Sequence, residues 1–229
     1  MIFQPHECGS YFETDTFHGL LGNRHSSIEK LQSHFPSVKF KRIKQTHGDR
    51  IVHTSPHTID FASEADAHYC NENSLGLCIF TADCIPLFFF SPKPMWVMGI
   101  HAGWRGIENR IVPKAVSLLT RQGCDPKNLM VFVGPHIRKS SFEVGNDVRD
   151  KLLKSFSPPR KNDFYSEINN SKSYVDLELI LNEQLQESLI HPANIFSENK
   201  DTVTDLNYHS FRRSKETSGR QISWISLKA

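Results

Sequence analysis

Apolar residues in this chain gather into short, unbroken runs. Leu75–Phe80 (LGLCIF) and Ile85–Phe90 (IPLFFF) are bounded by turn-prone residues and read as buried strands. Met95–His101 (MWVMGIH) and Leu129–Val133 (LMVFV) repeat that pattern. Between these two, Ile107, Ile111, Val112, Ala115, Val116, Leu118 and Leu119 recur at helical spacing. They predict a helix over Ile107–Gln122 stopped by Gly123, with Pro113 drawing the start toward itself. A second amphipathic helix is predicted over Asp176–Leu189, with Leu177, Ile180, Leu181, Leu185 and Leu189 on one side. Gln221–Leu227 (QISWISL) alternates and reads as a final strand. Residues 155–162 (SFSPPRKN) read as a surface loop inside one domain. Strands outnumber helices and do not alternate with them in βαβ order, which predicts an α+β fold.

Composition narrows this picture. The 229 residues suffice for a single domain over 1–229 whose core needs no cross-links. A hydrophobic share of 38%, a charged share of 23% and sixteen Phe exclude disorder as the dominant state. A formal charge of +2, from 27 basic and 25 acidic residues, gives no electrostatic case for nucleic acid. The basic clusters Lys39–Lys44 and Arg212–Lys215 read as solvated faces. Five cysteines, an odd number, argue against a disulfide framework. The N-terminal MIFQPHECGSYFETD lacks a basic segment leading into an apolar one. Ile85–Phe90, the longest strongly apolar run, falls far short of the roughly 20 residues of a membrane span. The expectation is a cytoplasmic protein without membrane association, and nothing points to a protein partner.

Three segments concentrate chemistry: Gln45-Thr-His47-Gly-Asp-Arg50, Thr81-Ala-Asp83-Cys84-Ile-Pro86 and His101-Ala-Gly-Trp104-Arg105-Gly106. Each places a borderline or soft metal ligand at the edge of a predicted strand. Their spacing matches neither CxxC nor HExxH. Taken singly, each His reads equally as a hydrogen-bonded core side chain, and Cys84 as a small buried hydrophobe.

The motifs in order carry more. QTHG, TADCIP, HAGWRG, Gly134-Pro-His-Ile137, Phe142-Glu-Val-Gly145, and the closing Ser210-Phe-Arg-Arg213 with Gly219-Arg220 follow one another over about residues 45–227. In that arrangement the chain resembles the YfiH-like family, which has also carried the name multicopper polyphenol oxidase or laccase. The resemblance implies an α+β fold with central mixed β-sheets, a β-sandwich flanked by helices, related to a cytotoxic-necrotizing-factor catalytic domain. It implies a metal site whose ligands are His47, Cys84 and His101. Two imidazoles and a thiolate suit Zn²⁺ in a roughly tetrahedral site, with copper the less fitting metal. Three protein ligands leave a position for water or substrate, and a water so bound reaches a pKa of about 7.

The resemblance also implies purine nucleoside chemistry: phosphate-dependent cleavage of adenosine, inosine, guanosine and methylthioadenosine, and deamination of adenosine. Its partners are then purine nucleosides and phosphate. Asp83 is a candidate acid/base or ligand-orienting residue, with a turn hydrogen bond as the equal alternative. Arg105 enters a predicted helix and is a candidate phosphate anchor, with a surface ion pair as its alternative. Gln45 and Arg24 are candidate substrate contacts; a turn cap and a solvated side chain are their alternatives. Trp104 is expected to pack, with walling a base-sized pocket as its alternative, and His136 to be structural. The chain departs from the family pattern at its N-terminal end and at Asn199–Thr204 (NKDTVT), which lacks a Cys-Thr pair. Three rivals stand beside the nucleoside reading. One is a Cys84–His101 hydrolase acting on cell-wall precursors. Another is a copper oxidase, for which the sequence has no His-x-His pair. The last is a non-enzymatic domain that keeps a metal for stability.

Overall fold

The computed structural model describes residues 3–156 and 163–229. Along the chain run β1 (Gln4–His6), β2 (Gly9–Glu13), β3 (Phe17–Gly22), α1 (Ile28–His34), β4 (Lys39–Lys41), β5 (Ile51–His53) and β6 (Ala67–Cys70). Next come β7 (Leu75–Thr81), β8 (Ile85–Pro92), β9 (Met95–Ala102), α2 (Trp104–Glu108) and α3 (Ile111–Arg121). Then β10 (Met130–Val133), β11 (Glu143–Gly145), α4 (Asn146–Leu153), β12 (Tyr165–Asn169), β13 (Lys172–Val175) and α5 (Leu177–Glu187). The chain ends with β14 (Ile195–Ser197), α6 (Phe211–Ser214) and β15 (Gln221–Leu227).

Two six-stranded mixed sheets form, in the orders β1-β2-β3-β15-β7-β4 and β14-β10-β8-β9-β6-β5. A three-stranded sheet, β11-β13-β12, stands beside them. The large sheets pack face to face. Alternate residues of β7 (Leu75, Leu77, Ile79) meet Phe88, Phe90, Val97 and Phe132 of the second sheet. The opposite faces are covered too. Leu87, Phe89, Met98 and Ile100 pack under α3 and α5, while Cys78, Ile222 and Trp224 pack with Leu31 of α1. The central strands are therefore apolar on both faces, which is why β8 reads as a continuous run rather than an alternation. The result is an α+β sandwich with helices outside, as expected.

The predicted helix over Ile107–Gln122 is two helices. Pro113 has no N–H, and its ring would crowd the carbonyl four residues earlier, at Asn109. The chain breaks there: α2 ends at Glu108, Arg110 takes a left-handed φ of 59°, and α3 restarts with Pro113 in its first turn. At the other end Gly123, φ 88°, closes α3 as predicted, its N–H reaching the Thr120 carbonyl. The second helix is capped by Asp176, whose carboxylate accepts from Leu179 N at 3.0 Å. Residues 157–162 of the predicted 155–162 loop lie outside the described residues. All five cysteines are free thiols. Among the described residues, no helix is long and apolar enough to cross a membrane.

Across the sandwich Phe132 stacks on Phe12 at 4.3 Å and also meets Phe17 and Phe196. Phe132→Ala should cost about 3–5 kcal/mol through lost burial and a cavity between the sheets. Denaturant unfolding followed by circular dichroism checks this: the midpoint should fall with little change in slope.

Candidate active site

The three donor-bearing segments meet at one end of the second sheet. Pro86 of β8 pairs with His101 of β9, so Cys84, just before β8, and His101, near the end of β9, share that end. Ala67 of β6 pairs with Ile100, which sets Asp66 beside His101. Residues Ala82–Cys84 are the link that carries the chain from β7 in one sheet to β8 in the other. His47 arrives from the loop before β5, with a left-handed φ of 60°.

Asp66 organises this end, and it is fully buried. One carboxylate oxygen accepts from His47 N at 2.9 Å; the other accepts from Gly48 N at 2.6 Å and from Thr46 N and Oγ1 at 3.2 and 3.0 Å. His101 Nδ1 lies 2.7 Å from Asp66 Oδ1, and His101 N donates to the Asp66 carbonyl at 2.7 Å. Burial acts to raise the Asp66 carboxyl. Hydrogen bonds from His101, Gly48 and Thr46 outweigh it and hold the group down at about 2. An ionised carboxylate only accepts, so Nδ1 of His101 carries the proton and Nε2 is left to face the cluster.

One ligand atom each from His47, Cys84 and His101 lies within 4.8 Å of the others. Edges of a tetrahedral zinc site are about 3.3–3.8 Å, so a small inward movement closes this donor set on one ion. Gly103 backs the cluster: a Cβ there would stand 3.1 Å from Cys84 Sγ, 3.4 Å from His47 Cδ2 and 3.7 Å from His101 Cε1. The donor chemistry, the tautomer fixed by Asp66 and the missing Cβ all fit a metal ion. Without an ion the charges pair among themselves. Burial pushes the Cys84 thiol up, but His101 and His47 overcome that and bring it down to about 6. Burial likewise lowers His101, while Cys84 and Asp66 raise it to about 9. Near neutral pH the pair is thiolate and imidazolium.

The cluster opens on a cavity of about 700 Å³ walled by Phe61, Phe80, Trp104, Ile137, Phe142 and Phe211. Lys44, Arg105, Arg212 and Arg220 also line it, and among its described lining residues Asp83 is the one carboxylate. Arg105 stacks on Trp104, its guanidinium carbon 4.4 Å from the ring centroid. Arg212 Nη1 donates to the Glu143 carbonyl at 2.9 Å. Asp83, at φ 86°, accepts from Thr202 Oγ1 at 2.7 Å and Arg212 N at 2.6 Å, which ties the Cys84 turn to the C-terminal segment. Gln45 lines the cavity with its amide committed to the Phe80 backbone, giving and accepting at 2.8 Å. Arg24 is not among the lining residues; its guanidinium donates to the Leu206 carbonyl at 2.9 Å. His136 is buried, with Nδ1 2.8 Å from the Gly134 carbonyl and Nε2 3.7 Å from Glu178. A second group, Glu7, Cys8 and His34, also brings three donors within 4.8 Å. There Lys30 Nζ sits 3.5 Å from Glu7 and supplies the positive charge itself.

Sequence reading passed over Asp66, Phe61, Arg212 and Arg220 as site residues. Asp66 carries no local signal, because its role is defined by three N–H groups and a His from distant segments. Arg212 and Arg220 lie in the closing motif and were visible there, without a position relative to the ligands.

Two measurements check this geometry. Asp66→Ala should lower zinc affinity about 10–100-fold against a chromophoric chelator, and should destabilise the fold at pH 7 by about 3 kcal/mol. Because the folded state holds this carboxyl down, its stabilisation is present above the ordinary value near 4 and lost as pH falls through about 2. The stability gap between wild type and variant should close over that window. Separately, zinc must displace the Nε2 proton of His101. Wild-type affinity should rise about tenfold per pH unit from about 6 to about 9, and more steeply below about 6, where Cys84 also gives up a proton.

Comparison with known proteins places this site in a family. A family model described as multi-copper polyphenol oxidoreductase laccase matches residues 9–228. Purine nucleoside phosphorylase RP494 of Rickettsia prowazekii is 30% identical over 193 residues, covering 82% of this chain and 77% of the relative. Purine nucleoside phosphorylase YfiH of Escherichia coli is 29% identical over 187 residues, covering 81% and 72%. YlmD from Geobacillus stearothermophilus shares the fold with a TM-score of 0.88 at 23% identity, over 100% of this chain and 99% of that one. The Bacillus licheniformis protein YfiH does so with a TM-score of 0.86 at 20% identity, over 93% of each. With the match running over almost its whole length, the chain belongs to the multi-copper polyphenol oxidoreductase laccase family, the YfiH-like proteins.

Proposed function

We propose that this protein is a zinc-dependent purine nucleoside phosphorylase that also deaminates adenosine, acting in the cytoplasm as one domain over residues 1–229. Its substrates are adenosine, inosine, guanosine and methylthioadenosine, with phosphate as co-substrate. The observation that carries the reading is the three-donor cluster of His47, Cys84 and His101, opening on an aromatic-walled cavity rimmed by arginines. A flat, apolar-faced base suits the aromatic walls, and phosphate suits the guanidinium groups. Relatives bearing the name purine nucleoside phosphorylase support the same reading.

Held by those three residues, Zn²⁺ would supply Lewis acidity and an acidified water at neutral pH. The remaining work falls to the chain. Asp66 fixes the His101 tautomer and the His47 backbone, so neither ligand reorients during turnover. Arg105, spread on Trp104, binds the phosphate whose oxygen attacks the ribose carbon as the base departs. In deamination, water adds at C6 of adenine and ammonia leaves. Asp83 is assigned the proton transfers, its carboxylate held by Thr202 and the Arg212 backbone. Gln45 orients the Phe80 segment of the wall.

One observation favours a second reading. Cys84 and His101, thiolate and imidazolium without metal, are the pair a cysteine hydrolase uses, with an amide of cell-wall-precursor type as substrate. Metal content by mass spectrometry and adenosine turnover, with and without phosphate, separate the two. For the phosphorylase, wild type should carry about one zinc per chain, and Cys84→Ala should lose zinc and turnover together. An enzyme that survives chelation and dies on thiol alkylation would be the hydrolase.

A further inference from the structure

Phe61 breaks two local preferences at once. Its backbone sits at φ 61°, a region costly for any bulky L side chain, and the residue is 48% exposed. Neither departure adds to the core. The segment that imposes them is firmly held all the same. Phe61 N donates to the Arg42 carbonyl at 3.0 Å. Arg42 N and Nε donate to Asp60 at 3.1 and 2.9 Å, and Lys41 Nζ donates to the carbonyls of Pro56 and Thr58 at 2.9 and 2.8 Å. A strained residue that its surroundings over-determine points to use rather than accident.

What the strain presents is a ring on the cavity wall. The Arg42 guanidinium carbon lies 4.8 Å from the Phe61 centroid and backs one face. Phe80 approaches at 6.3 Å with the rings tilted by 49°, so the two rings do not stack on each other. A half-exposed ring on the cavity wall, fixed through its backbone and backed by a cation, offers a planar ligand a stacking surface that needs no ordering on binding. Aliphatic ligands gain only buried area there, whereas a heterocycle gains the ring–ring contact as well.

We propose that Phe61 is the stacking platform for the purine base of the substrate, held in place by the Arg42–Asp60 ion pair. This inference rests on the purine nucleoside reading of the site. Phe61→Leu keeps apolar bulk and removes the π face. It should raise KM for adenosine and weaken adenosine binding by calorimetry about tenfold, with the loss expressed in KM rather than kcat. Phe61→Tyr should restore both. Phe61→Gly, which suits a left-handed φ, should melt no lower than wild type while binding as weakly as the Leu variant. Zinc content should stay at the wild-type level in all three. If wild type turns over adenosine and Phe61→Leu matches it in KM and affinity, this inference falls while the phosphorylase reading stands. A zinc-loaded wild type that neither binds nor cleaves adenosine overturns both.

Discussion

Asp66 is the interaction on which the rest of the site depends. Its carboxylate is buried, yet it stays ionised because the Thr46, His47 and Gly48 N–H groups and the His101 ring all donate to it. A lone buried carboxylate would be costly, and this one is compensated by donors that wrap around it. The compensation has a geometric consequence. His47 is forced into a left-handed turn, and His101 is held with Nε2 forward. One residue thus sets two of the three cluster side chains. The third, Cys84, comes from the link between the sheets, where Asp83 adopts φ 86° and is held by Thr202 and Arg212.

The sandwich makes such convergence possible. With both faces of the central strands packed, β8 and β9 have no freedom to slide, since a shift of one residue would exchange side chains between two differently shaped cores. Register therefore fixes the end of the sheet to a fraction of a side chain, and the cluster inherits that precision. The helices contribute differently. Pro113 breaks the run before α3, leaving α2 as a short turn that places Trp104 and Arg105 on the cavity wall. A single unbroken helix from Ile107 would not have had this short, separately oriented segment.

Part of the backbone strain in this protein lies on the cavity wall. Of the seven non-glycine residues with positive φ among the described residues, His47, Phe61 and Asp83 line the cavity. Each is stabilised by hydrogen bonds from elsewhere in the chain, so the cost is local and the support is distributed. The cavity combines these rigid positions with arginines whose guanidinium groups rest on rings or backbone carbonyls. That pairing of stiff aromatic surface and oriented cations suits a ligand with a flat base and an anionic partner.

Much of this was legible in the order of residues. The apolar runs at Leu75–Phe80, Ile85–Phe90 and Met95–His101 declare buried strands because burial on both faces removes any need for polar alternation. The Gly123 stop is likewise a local event of hydrogen bonding and φ. The motifs around His47, Cys84 and His101 marked a ligand set through resemblance. The short edge strands β1, β4, β5 and β11 carry too few residues for periodicity to register, and their partners alone define them. Asp66 is one acidic residue in a polar stretch until β6 pairs with β9, and Phe61 is one aromatic in a loop until Arg42 comes beneath it. What a residue's neighbours within a few positions can stabilise, the sequence determined. What required groups separated by tens of residues to meet, the tertiary structure decided, because only there do a buried charge and its donors share one place.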